Sequence, residues 1–506
     1  MSLVNKNILA NILGRIWSIL SVFIFIPLYI TILGVKIYGV VSFYAILQGI
    51  LIFADAGLTA TLKRELAKGN NSEESREYKF KILRSIELIY LLIVFVITSL
   101  IFFGSNYIVD SWLNIEDLDK EATVNGIKIM AFALGLNFLS KPYQGALIGM
   151  EKQVLSNLLQ FLWGLLKNGG VVLAIYYLNN TLEIFFGWQL VVNLAYVLAL
   201  RFLLLKLLYK KNKFHWKFKR DFKVLNKVWK YALGMLIISI IAALNSQFDK
   251  ILISKYFSVS ELGIYTLAYS LAMIPVILSG PIATAIFPKL VNYHDNDDVP
   301  NLEKLFKNSF KMVLLLTSSA GFVLAFYSSF FLALWTQNET LALQASIPAF
   351  YLLLGQMMLS FQVIPFNILL AKGNTKVNIK MGILGLFLLF PLVILLSKYH
   401  GLKGAAMGWF LYSCFITPIF IIIVLKKYIS MKTKDWIIIN FLKPLLLIFL
   451  GNYFFYLIQQ KLINNQLLIL IYIIISSVLI FIVSTCFSFK IKPKNILKFI
   501  KYELFA

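Results

Sequence analysis

Residues Gly39 to Leu66, GVVSFYAILQGILIFADAGLTATLKREL, are apolar as far as Phe53, pass through Ala54-Asp55-Ala56-Gly57-Leu58, and leave by Thr59, Thr61 and the charged Lys63-Arg64-Glu65. The same shape returns 224 positions later, from Gly263 to Leu290, as GIYTLAYSLAMIPVILSGPIATAIFPKL. Gly263 answers Gly39, Ser279 answers Asp55, Thr284 answers Ala60, and Lys289 and Leu290 answer Glu65 and Leu66. The stretch is long and apolar enough for a membrane helix, and its echo predicts one unit written twice.

Outward from that stretch the composition is of one kind. Hydrophobic residues make up 60% of the 506, aromatic residues 15% and charged residues 14%, with a mean hydropathy of +0.81. A water-soluble globule needs more polar surface than this, so the fold class expected is an all-α membrane protein. Apolar runs of about 20 residues recur, each able to cross a hydrocarbon core of about 30 Å as a helix and too long for the roughly 10-residue strands of a barrel. The first run follows one lysine and lacks a small-residue cleavage site, which predicts a retained helix. About 14 transmembrane helices are expected. They divide into two six-helix lobes related by the internal repeat, residues 1–207 and 229–425, joined by a basic cytoplasmic linker at 208–228. A C-terminal pair of accessory helices with a basic cytoplasmic tail occupies 426–506.

The net charge of +25 follows topology. With the N-terminus inside, segments 1–7, 63–84, 150–153, 208–230, 289–311, 372–380, 426–436 and 488–506 carry 34 of the 48 Lys and Arg, whereas the opposite loops carry only Lys36, Lys120, Lys398, Lys403 and Lys461. This positive-inside asymmetry predicts both termini in the cytoplasm. The linker interleaves Lys213, Lys217, Lys219 and Arg220 with Phe214, Trp216 and Phe218, a mixture that single-stranded nucleic acid also attracts. With spans on both sides it reads as lying along an anionic leaflet, and no nucleic-acid partner is expected.

Polar residues inside the spans carry the functional signal, because lipid offers them no partners. The first span aligns Asn7, Asn11, Gly14, Arg15 and Ser18 at spacings of three and four. Arg15 either snorkels to headgroups or lines a cavity. Asp55 lies about 10 Å from its cytoplasmic end; it either locks helices through an ion pair with Arg15 or Arg64, or meets substrate or protons. Asn137, Lys141 and Gln144 share a face, and Gln153, Asn157, Gln160, Gly164 and Lys167 repeat the pattern on the next span. Singly, the amides read as interhelical hydrogen bonds. Lys167 is about 20 Å from the cytoplasmic end, where snorkelling falls short, and is expected to face water or substrate. Asn245, Gln247, Asp249 and Lys250 follow on a later span. Asp249 and Lys250 are neighbours about 100° apart and are not expected to pair face to face. Pro275 and Pro281 are expected to kink their span.

Other chemistries lack their parts. Cys414 and Cys486 lie in or beside late spans and imply no disulfide framework. His215, His294 and His400 fall in separate loops without metal-ligand spacing. Asp117-Leu118-Asp119 and Asp295-Asn296-Asp297 look like metal–nucleotide pairs, but no nucleotide domain surrounds them and they read as solvated loop charges. No Gly-x4-Gly-Lys-Ser/Thr loop occurs, and no loop is long enough for a catalytic domain. No enzyme activity, cofactor or metal is expected. A duplicated bundle with polar stripes inside is expected to be a secondary transporter or scramblase.

Phe53-Ala54-Asp55-Ala56-Gly57-Leu58 with Arg64 and Ala67 downstream, Asp249-Lys250 followed by Gly263-Ile264-Tyr265, and the closing Phe287-Pro288 carry a resemblance. Together they resemble the polysaccharide-exporter branch of the multidrug/oligosaccharidyl-lipid/polysaccharide (MOP) exporter superfamily, and within it the Wzx-type O-antigen repeat-unit flippases. The resemblance covers essentially the whole chain through loose motifs. It implies two lobes in a V and alternating access. It further implies export of an undecaprenyl-pyrophosphate-linked oligosaccharide from the cytoplasmic to the periplasmic leaflet of a bacterial inner membrane. The lipopolysaccharide O-antigen, or another surface polysaccharide, would be the end product, and polysaccharide polymerase machinery a partner. The family's cationic interior maps by position onto Arg15, Lys141 and Lys167. Ser279 and Pro288 stand where the first repeat has Asp55 and Arg64, so no symmetric role is implied for those two.

On these residues the expectation is that Arg15, Lys141 and Lys167 hold the pyrophosphate and Gln144, Asn157 and Gln160 touch sugar. Asp55, Arg64, Asp249 and Lys250 are the candidates for gating or for coupling to H+ or Na+. Two alternatives stay open. A lipid II flippase would share the helices and the cationic interior; a drug or cation antiporter of the same superfamily would place carboxylates where this chain has lysine and arginine.

Overall fold

A computed structural model describes residues 3–55, 57–67, 73–208, 222–372, 375–428, 433–462 and 465–495. Its regular elements among the described residues are all helical, the answer that lipid imposes on a chain whose N–H and C=O groups have no water to bond. Eleven helical stretches among the described residues are long and apolar enough to cross a membrane. Two of the eleven hold a glycine with non-helical backbone, Leu20–Ala54 at Gly34 (φ 77°, ψ 164°) and Lys376–Lys427 at Gly401 (φ 60°, ψ −142°). As one rod the second would run about 80 Å, far beyond a bilayer core. It turns back instead. Gly401 takes a left-handed backbone that suits glycine. A Cβ on Gly404 would stand 1.8 Å from Leu396 O and one on Gly408 2.9 Å from Leu392 O, so the two arms run antiparallel with bare Cα atoms at the contact.

The chain forms two compact units, Met1–Gly263 and Ile264–Ala506. The first holds α1 (Leu3–Ala54), α2 (Leu58–Ala67), α3 (Glu73–Phe103), α4 (Ser105–Tyr107), α5 (Lys120–Gly149), α6 (Gln153–Gly164), α7 (Gly170–Tyr177), α8 (Leu182–Leu208), α9 (Phe222–Tyr256) and the start of α10 (Val259–Ala272). Helix α5 is its spine: Ile127, Met130, Ala133 and Ala146 are fully buried. Its glycines let neighbours approach, Gly126 toward Leu182 of α8, Gly135 toward Thr98 of α3 and Gly145 toward Thr59 of α2. Helix α3 is two-faced. Ile82, Ile86 and Tyr90 point inward, while Phe95, Leu100 and Phe103 are 70%, 69% and 81% exposed, a stripe that suits lipid contact.

Helix α9 packs on α1 within this unit, with Gln247 Nε2 standing 2.7 Å from where a Cβ on Gly49 would be. A strap around 108–119 reaches the same region. Its π-helical turn Ile108–Trp112 brings Trp112 Nε1 to donate to Ser254 Oγ at 3.1 Å, and Lys255 Nζ donates to the Ser111 carbonyl. Val259 N donates to Asn114 O at 2.9 Å. Here Asp117-Leu118-Asp119 departs from the expectation of loose solvated charges. Asp119 caps α5 by accepting from Ala122 N at 2.6 Å, and Asp117 pairs with Lys36 at 2.8 Å. The short carboxylate finds the free N–H groups of a helix start, and the exposed ammonium lies within reach. Most of the predicted linker at 208–228, and the Arg15 side chain, lie outside the described residues.

The second unit holds the rest of α10, then α11 (Ile274–Asp295), α12 (Val299–Phe326), α13 (Ser328–Thr336), α14 (Glu339–Ser360), α15 (Val363–Ala371), α16 (Thr375–Tyr428, folded at Gly401), α17 (Thr433–Ile437), α18 (Lys443–Leu462) and α19 (Gln466–Phe489). Helix α12 is its spine, with Phe306, Phe310, Val313, Leu314 and Leu315 fully buried. Trp436 lies against Phe310 with ring centroids 4.8 Å apart. Pro275 falls in the first turn of α11, so helical continuity is lost before it; Pro281 and Pro288 are held inside α11.

Candidate functional site: a lysine pair in the first unit

Helix α6 ends at Gly164, and the next five residues, Leu165–Gly169, wind as a π-helix before α7 begins at Gly170. A π turn disturbs the usual i to i−4 ladder, and such turns gather at functional sites. Three side chains from two other helices bond its carbonyls. Trp188 Nε1 donates to Leu166 O at 2.8 Å, Gln189 Nε2 to Lys167 O at 3.1 Å, and the Tyr29 hydroxyl to Asn168 O at 3.0 Å. The turn is thereby pinned from both sides.

Lys167 sits at its centre. Its ammonium stands 4.9 Å from the centroid of the Trp163 ring and 5.9 Å from that of Tyr44. Trp163 is itself fixed, stacked on Tyr196 at 4.9 Å and 16°, with Nε1 donating to Asn193 Oδ1 at 2.9 Å. Asn193 Nδ2 in turn donates to Ala133 O of α5 at 2.9 Å.

Lys141 approaches from α5, half-buried, within electrostatic range of Lys167, Asp55 and Lys63. Gln144, one turn on, donates to the Tyr196 hydroxyl at 3.1 Å and to Ser140 Oγ at 3.3 Å. Neither Lys141 nor Lys167 forms an ion pair among the described residues. The Tyr44 hydroxyl lies toward Asn193 and Gln48 without an aligned hydrogen bond, and Gln48 Nε2 and Gln189 Oε1 are likewise buried without one. Buried polar atoms are nearly always paired. Two ammonium groups that form no ion pair among the described residues, beside several orphaned polar atoms, make this cluster the place that calls for a polar, anionic ligand.

The contacts of the other predicted residues lie outside this pair, although Asp55 stays within electrostatic range of Lys141. Asp55 Oδ1 accepts from Thr59 N at 3.2 Å, from Thr59 Oγ1 at 2.5 Å and from the Tyr90 hydroxyl, which makes it the cap of α2. Of its two candidate ion pairs, the one with Arg64 does not form, and the one with Arg15 lies outside the described side chains. Arg64, about 13 Å of helix further on, bonds Glu65 at 3.0 Å with its side chain 71% exposed. Asn157 faces α1, 3.4 Å from where a Cβ on Gly14 would be, and Gln160 is half-buried on the same helix. Asp249 and Lys250 do pair, contrary to the expectation from their directions on the helix. Lys250 Nζ is 3.1 Å from Asp249 Oδ1 and donates to Ser246 O at 2.9 Å, both side chains being buried. The four-carbon stem folds back along the helix and closes a gap that rigid Cβ directions leave open.

One cluster escapes sequence reasoning. Glu87 of α3 is buried, with Arg84 Nη1 at 2.9 Å and the Tyr143 hydroxyl donating at 2.5 Å. Arg201 Nε of α8 stands 3.1 Å away, a charge contact without hydrogen-bond alignment. The only local signal was Arg84 and Glu87 at i and i+3, an ordinary helix pair. Among the described residues no three His, Cys, Asp or Glu side chains converge to hold a metal.

The family described as polysaccharide biosynthesis protein matches residues 4–294, a span that contains Lys141, Lys167 and Asp55. A putative O-antigen transporter of Shigella flexneri is 22% identical over 384 residues, covering 74% of this chain and 87% of that protein. The fold is shared with the lipid II flippase MurJ in an inward closed conformation, at a TM-score of 0.68 and 15% identity over 95% of this chain and 98% of that one. It is shared too with an inward-facing multidrug-resistance MATE transporter of the MOP superfamily, at 0.64 and 13% over 83% and 96%. The chain therefore belongs to the polysaccharide biosynthesis protein family and carries the helical fold of the MOP-superfamily transporters.

Proposed function

We propose that the protein is a flippase that moves an undecaprenyl-pyrophosphate-linked oligosaccharide from the cytoplasmic to the periplasmic leaflet of a bacterial inner membrane by alternating access, with both termini cytoplasmic. The observation that carries this reading is the Lys141–Lys167 pair, without a carboxylate partner for either lysine among the described residues. Half-buried ammonium groups that form no ion pair are costly, and two that repel each other more so. A diphosphate relieves both costs, with short charge-assisted hydrogen bonds to each. Gln144, the Tyr196 hydroxyl and the unsatisfied Gln48 and Gln189 amides offer sugars their donors and acceptors. The polyprenyl tail stays in the bilayer.

The electrical driving force has the right sign. An inside-negative potential favours outward movement of an anion by about 2.3 kcal/mol per charge per 100 mV, so H+ or Na+ coupling at Asp55 or Asp249 assists rather than governs. A lipid II flippase is the second reading, favoured by the likeness to MurJ over 95% of the chain and resting on the same headgroup chemistry.

The test is reconstitution into proteoliposomes bearing undecaprenyl-pyrophosphate oligosaccharide in one leaflet, read with an impermeant sugar-binding probe. Protein-dependent exposure of the sugar, without efflux of small cationic dyes, is expected. Dye efflux with no lipid movement would sink the proposal in favour of an antiporter.

A further inference from the structure

We infer that Trp163 and Tyr44 are positioning residues for the headgroup site: they hold the Lys167 ammonium on aromatic faces in place of a carboxylate, and so keep it ordered while leaving its N–H bonds for an incoming phosphate. The inference rests on the reading of Lys167 as a headgroup-binding cation. It goes beyond that reading by naming what prepares the cation before the ligand arrives.

Three ways exist to keep a lysine at this depth. A carboxylate would neutralise it and compete with the phosphate, as Asp249 does for Lys250 at 3.1 Å. No partner at all would leave a long, mobile side chain to be ordered at the moment of binding. Aromatic faces do neither. They attract the cation through the ring quadrupole, more strongly where water is excluded, yet carry no charge to oppose an anion. Lys167 has this third arrangement, 4.9 Å from the Trp163 centroid and 5.9 Å from that of Tyr44.

The surroundings are built to hold that geometry. The π turn is pinned through Tyr29, Trp188 and Gln189, which sets the direction in which Lys167 leaves its helix. The indole plane is set by the Asn193 hydrogen bond and the Tyr196 stack, one and two turns further along the same α8. Cation and ring are thus both fixed from α8, through Trp188 and Gln189 for the turn and Asn193 and Tyr196 for the ring, with Tyr29 of α1 added at the turn, and an ammonium has three N–H donors, not all of which the rings occupy.

The experiment uses the full chain in nanodiscs, labelled with 5-fluorotryptophan, with the Trp163 signal identified by its loss in Trp163→Phe. In ligand-free protein, Lys167→Met is expected to move the Trp163 resonance; an unmoved signal overturns the contact. On titration with undecaprenyl pyrophosphate, the wild-type resonance is expected to stay away from the Lys167→Met position, because the cation remains on the ring. Arrival at that position would overturn the inference. Binding of undecaprenyl pyrophosphate is expected to weaken about 3- to 10-fold in Trp163→Leu, the cost of ordering one long side chain, with Trp163→Phe between the two. In a Lys167→Met background Trp163→Leu should add nothing. Equal loss with or without Lys167 would make Trp163 merely structural. Failure of the wild-type protein to bind this lipid would overturn the headgroup reading, while the ligand-free spectra decide the aromatic contact by themselves.

Discussion

Gly39 and Gly263 pack against each other, and each meets the turn that precedes the other. A Cβ on Gly39 would stand 1.8 Å from Val259 O, and one on Gly263 3.0 Å from Val35 O. Val35 and Val259 are separated by the same 224 positions as the glycines, so the contact is reciprocal.

The two distances are unequal, and that gives the first prediction. Gly39→Ala must push a backbone carbonyl aside and is expected to destabilise the protein by about 1–3 kcal/mol. Gly263→Ala needs a shift of only a few tenths of an ångström and should cost less. Thermal unfolding in detergent ranks them; the reverse order would show that the close approach is not what the chain protects.

Glu87 ties α3, α5 and α8 together through Arg84, Tyr143 and Arg201. Glu87→Gln leaves two guanidinium groups around a neutral amide and is expected to cost about 3–5 kcal/mol. Tyr143→Phe removes one hydrogen bond to a charge, about 1.5–3 kcal/mol. Unfolding temperatures should fall in that order, and a Glu87→Gln protein as stable as wild type would remove this network from the account of stability.

Acid should loosen the 108–119 strap around Glu116 and Asp117. Partial burial opposes ionisation of Glu116, but hydrogen bonds from Ser258 and Ser260 and the Lys36 ammonium outweigh it and hold its carboxyl below the usual range. Asp117 is held below its ordinary value by the hydrogen bond and charge of Lys36. For groups lowered by folding, the stabilisation is whole above the unfolded values, near 4, and is lost as pH falls through the folded ones. Amide exchange in this strap, corrected for intrinsic rates, should rise below about pH 4, and Lys36→Met should flatten the response. A strap equally protected at pH 3 and pH 7 would contradict it.

Gly39 and Gly263 stood out in the sequence as glycines at matching positions, and they meet in the fold. Lys167 was legible because lysine is rare at that depth in a span. The π turn beneath it was not, since its carbonyls are bonded by Tyr29, Trp188 and Gln189 from α1 and α8, and no local pattern announces tertiary partners. Glu87 stayed hidden for the same reason, its Tyr143 partner lying 56 residues on. Asp249 and Lys250 misled because helical direction describes Cβ, while a lysine ends four carbons beyond it. Asp55 stood out correctly as unusual, but the geometry spends its carboxylate on Thr59 and Tyr90.

The most direct measurement is the transbilayer rate of undecaprenyl-pyrophosphate oligosaccharide in proteoliposomes for the wild type, Lys141→Ala, Lys167→Ala and the double variant, each checked for unchanged unfolding temperature. Each single change is expected to slow movement about 10-fold or more, as loss of a charge-assisted hydrogen bond does, and the double change to abolish it. A folded double variant that flips the lipid at the wild-type rate would contradict the central claim that this lysine pair carries the headgroup.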